Sequence, residues 1–351
     1  MSRPRFDEPL PPLPEKPAVS IVICNYNHAP FLDAAVTTAL QQTYECQVVV
    51  VDDGSTDNSL QVLEPWKDYI RLVTKPNGGQ RSAYNAGFEH CDGDIVVFLD
   101  ADDLLEPSAV RQIVDAMQSG VSRVHYKLRL MNQSGSVSST QIPRKLASGD
   151  LTHRLLTTGT LPPSAPGSGN AYRRSALERL MPIPVSDSDR NGADFFAIYG
   201  TSLLGRVAAI PHALGFYRIM DRPPTSPASA PLVFGNAARS QRRSEVVSHR
   251  ISELRAWVYE WSEGHLQLPE RLQDFGEVKS QFAQRVFKES YVDGLVQGSA
   301  ELPNLVHSVL NQREFSWPEK VGLLGWAATV LVAPRSLGKP LARYVVDPSS
   351  R

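Results

Sequence analysis

The chain has 351 residues, 42% of them hydrophobic, and 36 Lys and Arg stand against 37 Asp and Glu for a formal charge of −1. That length and apolar content suit one large domain or two smaller ones with a proper core, and the even charge balance removes any global electrostatic case for binding nucleic acid. Cys24, Cys46 and Cys91 are odd in number and none lies at CxxC spacing, which argues against a disulfide framework or a zinc site and for a reducing, cytoplasmic setting.

The first 17 residues, MSRPRFDEPLPPLPEKP, are Pro-rich and polar, lack the apolar stretch of a signal peptide, and read as a leader. From residue 18 short β-branched runs alternate with helical segments. VSIVIC (19–24), QVVVVD (47–52), IRLV (70–73) and DIVVFLD (94–100) have the unbroken apolar character of strands covered on both faces, and helices are expected over 30–41, 58–63 and 79–89. Alternation of this kind predicts an α/β fold with a mainly parallel central sheet, whose ligands gather at the carboxyl ends of the strands. Those ends carry Asn25-Tyr26-Asn27, Asp52-Asp53-Gly54-Ser55, Lys75-Pro76-Asn77-Gly78-Gly79 and Asp100-Ala101-Asp102.

After residue 120 the pattern loosens. VSRVHYKLRL alternates as a half-exposed strand does, QSGSVSST reads as a turn or flexible loop, and GTLPPSAPGSG (159–169) is irregular with no apolar run. DRPPTSPASAP (221–231) reads as a linker. Beyond it helical spacing dominates to about residue 312, a helical C-terminal extension. VGLLGWAATVLVAP (321–334), at 14 residues, is shorter than the ~20 needed to span a bilayer. Flanked by Lys320, Arg335, Lys339 and Arg343, it is either a buried helix or one lying at a membrane interface, so that residues 318–351 become the place for peripheral membrane contact.

Two stretches carry chemistry. In DIVVFLDADD the acids Asp100, Asp102 and Asp103 crowd the end of an apolar strand. An acidic first helical turn explains one or two of them. On an extended backbone, however, Asp100 and Asp102 point to the same side, where two uncompensated carboxylates repel and a divalent cation relieves them. Asp52-Asp53-Gly54-Ser55 is either an Asp-Gly turn or a site where Asp53 accepts a base N–H or a ribose hydroxyl. Gly78 and Gly79 allow close backbone approach of a phosphate or sugar at a helix start, but the loop is neither GxGxxG nor GxxxxGK[ST].

Taken in order, SIVICNYN (20–27), DDGSTD (52–57), NGGQRSAYNAG (77–87) and DADD (100–103) resemble the inverting family 2 glycosyltransferases of the GT-A fold, of the bacterial envelope-glycan type. The likeness is specific over residues 18–120 and looser to about 220. It implies a nucleotide-sugar-binding half over 18–122, an acceptor-side half over 123–222 and a mainly helical region over 223–351. It implies that Asp53 contacts the nucleotide base, that Asp100 lies near the ribose or metal, and that Asp102 coordinates Mn²⁺ or Mg²⁺ on the diphosphate. Asn25, Asn27 and Asp52 would line the nucleotide pocket with Asn77, Gly78 and Gly79. The family pattern often has Arg where Tyr84 stands here, so Arg81, a turn earlier, becomes the candidate for that role. NGADFFAIYG followed by a strand and Tyr217-Arg218 matches the acceptor-side layout, which makes Asp194 the candidate base, with a helix N-cap as its alternative, and sets Arg218 either on the diphosphate or in a salt bridge. A His that often follows the Tyr-Arg pair is replaced by Asp221. Gly169 and Asn170 are implied as acceptor- or donor-sugar contacts. The activity implied is metal-dependent, inverting transfer from a nucleotide-diphosphate sugar, UDP-linked in the first instance, to a hydroxyl of a glycan or lipid-linked acceptor.

Two other classes fit the sequence less well. A haloacid-dehalogenase phosphatase would use Asp100 as nucleophile and Asp102 as acid, but three strand-helix units precede Asp100 and the later acidic cluster SDSD follows no apolar strand. A non-catalytic nucleotide-sugar or glycan binder would have no use for a candidate base.

Overall fold

The computed structural model describes residues 8–220, 237–287 and 290–346, the side chains of 237–244 excepted, so the expected linker and Asp221 lie outside the described residues. The chain divides into two compact units: Met1–Thr152, Pro163–Asp221 and Trp257–Leu266 form one, and His153–Pro162, Arg222–Ala256 and Gln267–Arg351 the other.

The first unit opens with β1 (Val19–Asn25), α1 (Ala29–Leu40), β2 (Gln47–Asp52), α2 (Ser59–Leu63), β3 (Arg71–Thr74), α3 (Gln80–Glu89) and β4 (Ile95–Asp100). It continues with β5 (Leu104–Leu105), α4 (Ala109–Ala116), β6 (Val121–Asn132) and the hairpin strand β7 (Val137–Ile142). After α5 (Thr152–Thr157) at the unit boundary come β8 (Asn170–Arg173), α6 (Arg174–Leu180), α7 (Ala193–Thr201) and β9 (Arg206–Ile219). Among the described residues these strands make one sheet in the order β3-β2-β1-β4-β8-β6-β9-β5, with β7 paired to β6. The first four strands are parallel, as the alternation predicts. The second half is mixed: β8 runs antiparallel to both β4 and β6, while β6 and β9 are parallel. β1, β2 and β4 read as unbroken apolar runs because they are interior strands; Ile21, Ile23, Val50, Val97 and Leu99 enter one core with Leu32 and Val36 of α1.

Two local expectations change. β6 is buried along most of its length rather than half-exposed, because its polar residues point inward to partners: Arg123 donates to Ser164 and Asn170, and the His125 ring bonds the Ala147 carbonyl and Ser164. Alternation reported polarity there, not exposure. The supposed loop QSGSVSST contains the start of β7, which has no core face and leaves five of its six residues exposed. The leader is held from residue 8 onward. Arg179 donates to the carbonyls of Glu8 and Pro9, Arg173 to that of Pro11, and the Tyr44 hydroxyl to that of Pro17.

Helix α8 (Ala237–Trp261) crosses the boundary between the units. The second unit is helical to Val346, well past residue 312, through α9 (Phe275–Phe287), α10 (Tyr291–Leu310), α11 (Trp317–Val332) and α12 (Arg335–Val346). Phe282, Val286, Leu305, Val309, Trp326, Val330 and Ala342 make its core, and the Trp326 indole donates to the Leu341 carbonyl. The 321–334 stretch is thus a packed helix on one side, and residues 318–346 contribute to this core rather than forming an appendage. No described helix is long and apolar enough to cross a membrane.

Candidate active site

Strand register brings the first polar groups into one row. Asn25 lies beside Asp52, and Cys24 beside Asp100, at the carboxyl ends of β1, β2 and β4. Asn25 and Asp52 bond each other at 2.8 Å, and Asp52 also accepts the Ser55 N–H. Asn27, in a left-handed conformation (φ 57°), turns its amide oxygen onto the N–H groups of Thr56 and Asp57. These three residues therefore shape the 52–57 loop.

Asp53 is the centre of a second clasp. Its carboxylate accepts Lys75 Nζ at 2.5 Å, the Gly78 N–H at 3.0 Å and the Gly79 N–H at 2.7 Å, while the Asn77 amide donates to its carbonyl. A carboxylate has about four acceptor positions, so roughly one remains for an incoming N–H or hydroxyl. Glycine is required at two points of this clasp. Gly54 has φ 73° and a Cβ there would lie 2.7 Å from the Asn77 nitrogen; Gly79 has φ 83° and a Cβ there would meet Arg190 at 2.4 Å.

The acidic cluster departs from its expected geometry. β4 ends at Asp100, and the Asp103 N–H bonds back to the Asp100 carbonyl at 3.0 Å, so residues 100–103 form a turn and not an extended segment. The carboxylates still crowd one another. Burial first, and then the charges of Asp102 and Asp194, push the Asp100 carboxyl up to about 7, against a hydrogen bond from Gln80 that holds it down. Asp103 is raised as well, chiefly by burial, and accepts the Arg218 N–H at 2.8 Å. Asp102 keeps some exposure and lies 3.9 Å from the His28 ring nitrogen.

Arg218 pins this turn. Its guanidinium donates to the carbonyls of Asp102, Asn132 and Gln133 and lies over the Phe31 ring at 4.6 Å. Carbonyl oxygens rather than a carboxylate take these bonds, through Nε and Nη1.

Asp194 approaches from the other half of the sheet. It stands in the first turn of α7, where the cap position belongs to Gly192, so it is not the N-cap of its helix. A methyl placed on Gly167 would lie 3.5 Å from Asp194 Cβ, 3.6 Å from Asp100 Oδ2 and 3.2 Å from the Tyr84 hydroxyl. The candidate base, the donor-side carboxylate and Tyr84 therefore converge around a residue with no side chain. Tyr84 is buried and stacked on Phe98 at 3.9 Å, and burial followed by the charges of Asp100 and Asp194 raises its hydroxyl well above the usual range.

Gln80 joins the two sides. Its amide oxygen accepts the N–H groups of Gly192 and Ala193 at 2.8 and 3.1 Å, and its side chain also bonds Asp100. Arg81 is fully buried rather than facing a nucleotide: it donates to the carbonyls of Asn191 and Pro184, pairs with Asp189 and lies over Phe196. Gly169 and Asn170 also lie beneath the surface. A Cβ on Gly169 would meet Ala165 at 2.6 Å, and Asn170 donates to the carbonyls of Ala165, Pro166 and Gly167 while accepting Arg123. Both hold the loop that carries Gly167, which replaces the sugar contact expected of them. His28, Gln80, Tyr84 and Gly167 are not assigned a role by the sequence. Only His28, directly after NYN, and Gln80, directly after the Gly pair, carried a positional signal.

Among the described residues no three His, Cys, Asp or Glu side chains are placed to hold a metal by themselves. The donor set nonetheless suits a hard cation that shares its shell with phosphate. Asp102 is partly open, His28 stands beside it, and Asp100 is raised first by burial and then by the charges of Asp102 and Asp194.

Residues 20–181 match the Glycosyl transferase family 2 model. The chain carries a family 2 glycosyltransferase domain. An uncharacterised glycosyltransferase of Nostoc sp. is 40% identical over 211 residues, 57% of this chain and 64% of that protein. An undecaprenyl-phosphate 4-deoxy-4-formamido-L-arabinose transferase of Pseudomonas fluorescens is 40% identical over 111 residues, 29% of this chain and 33% of the other. The matched part of the chain thus spans less than two thirds of either relative. Among solved structures, residues 1–349 of TarS from S. aureus in complex with UDP-GlcNAc superimpose with a TM-score of 0.53 at 18% identity, covering 94% of this chain and 90% of that one. The fold of the family 2 domain is accordingly GT-A, and the phosphatase reading of Asp100 and Asp102 falls away.

Proposed function

We propose that the chain transfers a sugar, with inversion, from a nucleotide diphosphate donor to a hydroxyl of a glycan or lipid-linked acceptor. The observation that carries this reading is the convergence of Asp194 and Asp100 on Gly167, which sets a candidate base opposite the donor-side carboxylates. Asp53 offers its remaining acceptor position to the base, and the row of Asn25, Asp52 and Asn77 keeps that loop in shape for it. Asp194 takes the acceptor proton as the hydroxyl oxygen attacks the anomeric carbon, and the nucleotide diphosphate leaves with the electrons of the broken C–O bond. Mn²⁺ or Mg²⁺, held by Asp102 with His28 alongside, would supply positive charge to the leaving diphosphate.

The UDP-GlcNAc held by TarS makes a UDP-linked sugar the first donor to test, and hydroxyls of glycans, free or lipid-linked, are the acceptors to pair with it. Thermal unfolding against a panel of nucleotide sugars with Mn²⁺ identifies the donor, and release of the nucleotide diphosphate on adding acceptor reports transfer. Stabilisation by a donor without turnover on any free or lipid-linked glycan would instead favour the non-catalytic binder, and retention of anomeric configuration in the product would remove Asp194 as the base.

A further inference from the structure

The second unit presents a face that its own core does not use. α11 is apolar nearly all round, yet only Trp326, Ala327 and Val330 are buried, with Leu323, Leu324 and Leu331 packed beside them. On the other side stand Trp317, Val321, Gly325, Ala328 and Val332, spaced by threes and fours and so aligned in one stripe. Trp317 is 70% exposed, and Val321 and Val332 are 62% exposed. A Cβ built on Gly322 or Gly325 meets nothing within 4 Å. At the C-terminal end of the stripe the Tyr291 hydroxyl of α10 donates to the Val332 carbonyl, which brings the exposed Tyr291 and Val292 alongside.

Charge and aromatic placement identify what fits this face. Residues 317–346 contain Lys320, Arg335, Lys339 and Arg343 against Glu319 alone, in a chain whose overall charge is −1. Lys320 lies over the Trp317 ring at 5.5 Å, and of the cations on α12, which follows directly, Lys339 and Arg343 are exposed while Arg335 buries its Nε and Nη2, so Lys339 and Arg343 are those it presents. Trp317 marks one end of the stripe and Tyr291 adjoins the other, where rings with polar tips meet a headgroup layer. The 16-residue helix is about 24 Å long and suited to lie flat rather than to span.

We propose that this face docks on an anionic lipid surface, with the α11 stripe at the acyl boundary and the cations of α12 among the headgroups. The inference stands apart from the transfer reaction, since vesicle binding requires neither donor nor base. The test is co-sedimentation of the full chain with phosphatidylcholine vesicles, with and without phosphatidylglycerol, at low and high salt. Binding is expected only with phosphatidylglycerol and is weakened by salt. Val321→Asp/Val332→Asp abolishes it with unchanged thermal unfolding, and Lys339→Glu lowers it by about tenfold. A wild-type chain that stays in the supernatant overturns the proposal, as does equal sedimentation of the Val321→Asp/Val332→Asp variant. So does a dimer by light scattering that Val321→Asp splits without any vesicle binding, which would assign the face to a second copy.

Discussion

The two halves of the GT-A sheet hold their carboxylates by different means. On the parallel side Asp53 is held by Lys75, Gly78 and Gly79, all within a single strand-helix step of it. On the mixed side Asp194 stands at the start of a helix whose entry is fixed by Gln80 and Arg81, more than 100 residues earlier. The proposed donor pocket, built from neighbours in sequence, tolerates change elsewhere in the chain. The proposed base, held by distant segments, depends on the packing of both halves.

The sharpest test of that contrast is Asp194→Asn. It keeps the shape of the first turn of α7 and removes only the proton acceptor, so turnover should fall by ~10² to 10⁴ with donor affinity unchanged. Transfer at near-normal rate would leave Asp194 a structural residue. Next in size is Arg81→Met, which leaves Asp189 and two carbonyls without their buried donor. It should lower unfolding stability by about 3–5 kcal/mol in urea titration. If the acceptor side is assembled at long range as described, the folded fraction also loses kcat more than it loses donor affinity. Lys75→Met tests the other side: losing a charge-assisted bond to Asp53 should weaken donor binding by ~1.5–3 kcal/mol in calorimetry, with the chemical step preserved once donor saturates. A drop in kcat at saturating donor would show that the two halves are not separable.

The smallest effect concerns pH. His125 is held well below its ordinary range, first by burial and then by the charge of Arg123. Its folded pKa is lower than the unfolded one, so the unfolded chain takes up the proton first. The stability this neutral ring contributes is present above the unfolded value of about 6.5 and declines as the pH falls from there toward the folded pKa, by at most about 1.4 kcal/mol per pH unit. Urea midpoints across that range should show the slope for the wild type and a flatter one for His125→Gln.

The same contrast explains what was legible beforehand. β1 to β4 and their loops follow from apolar runs and turn residues because each partner lies within one strand-helix unit, and Asp53 and Gly79 could be marked from the motif alone. Asp194 is marked as candidate base only by the resemblance of NGADFFAIYG and its downstream Tyr217-Arg218 to the family's acceptor-side layout. The surroundings of Asp194 are not marked, since Gly167 and Gln80 come together only when β4, β8 and α7 are packed. Polar residues on β6 misled the reading of exposure, because Arg123 and His125 find buried partners that a periodic pattern cannot show. Asp100 and Asp102 meet through a turn where an extended strand was expected, so that convergence was foreseen on a geometry that does not occur.

The leader has a consequence for anyone who shortens the chain. A Pro-rich segment ahead of the first strand looks dispensable, yet the carbonyls of Glu8, Pro9 and Pro11 serve as solvent for buried guanidinium groups, and that of Pro17 takes the Tyr44 hydroxyl. Arg173 and Arg179 are only 1 and 2% exposed, and they sit on β8 and α6, the elements that lead from the Gly167 loop toward α7. Starting the protein at Val19 would strip acceptors from two interior cations rather than trim a loose end. The cost would surface at a distance, in the scaffolding behind the proposed acceptor side.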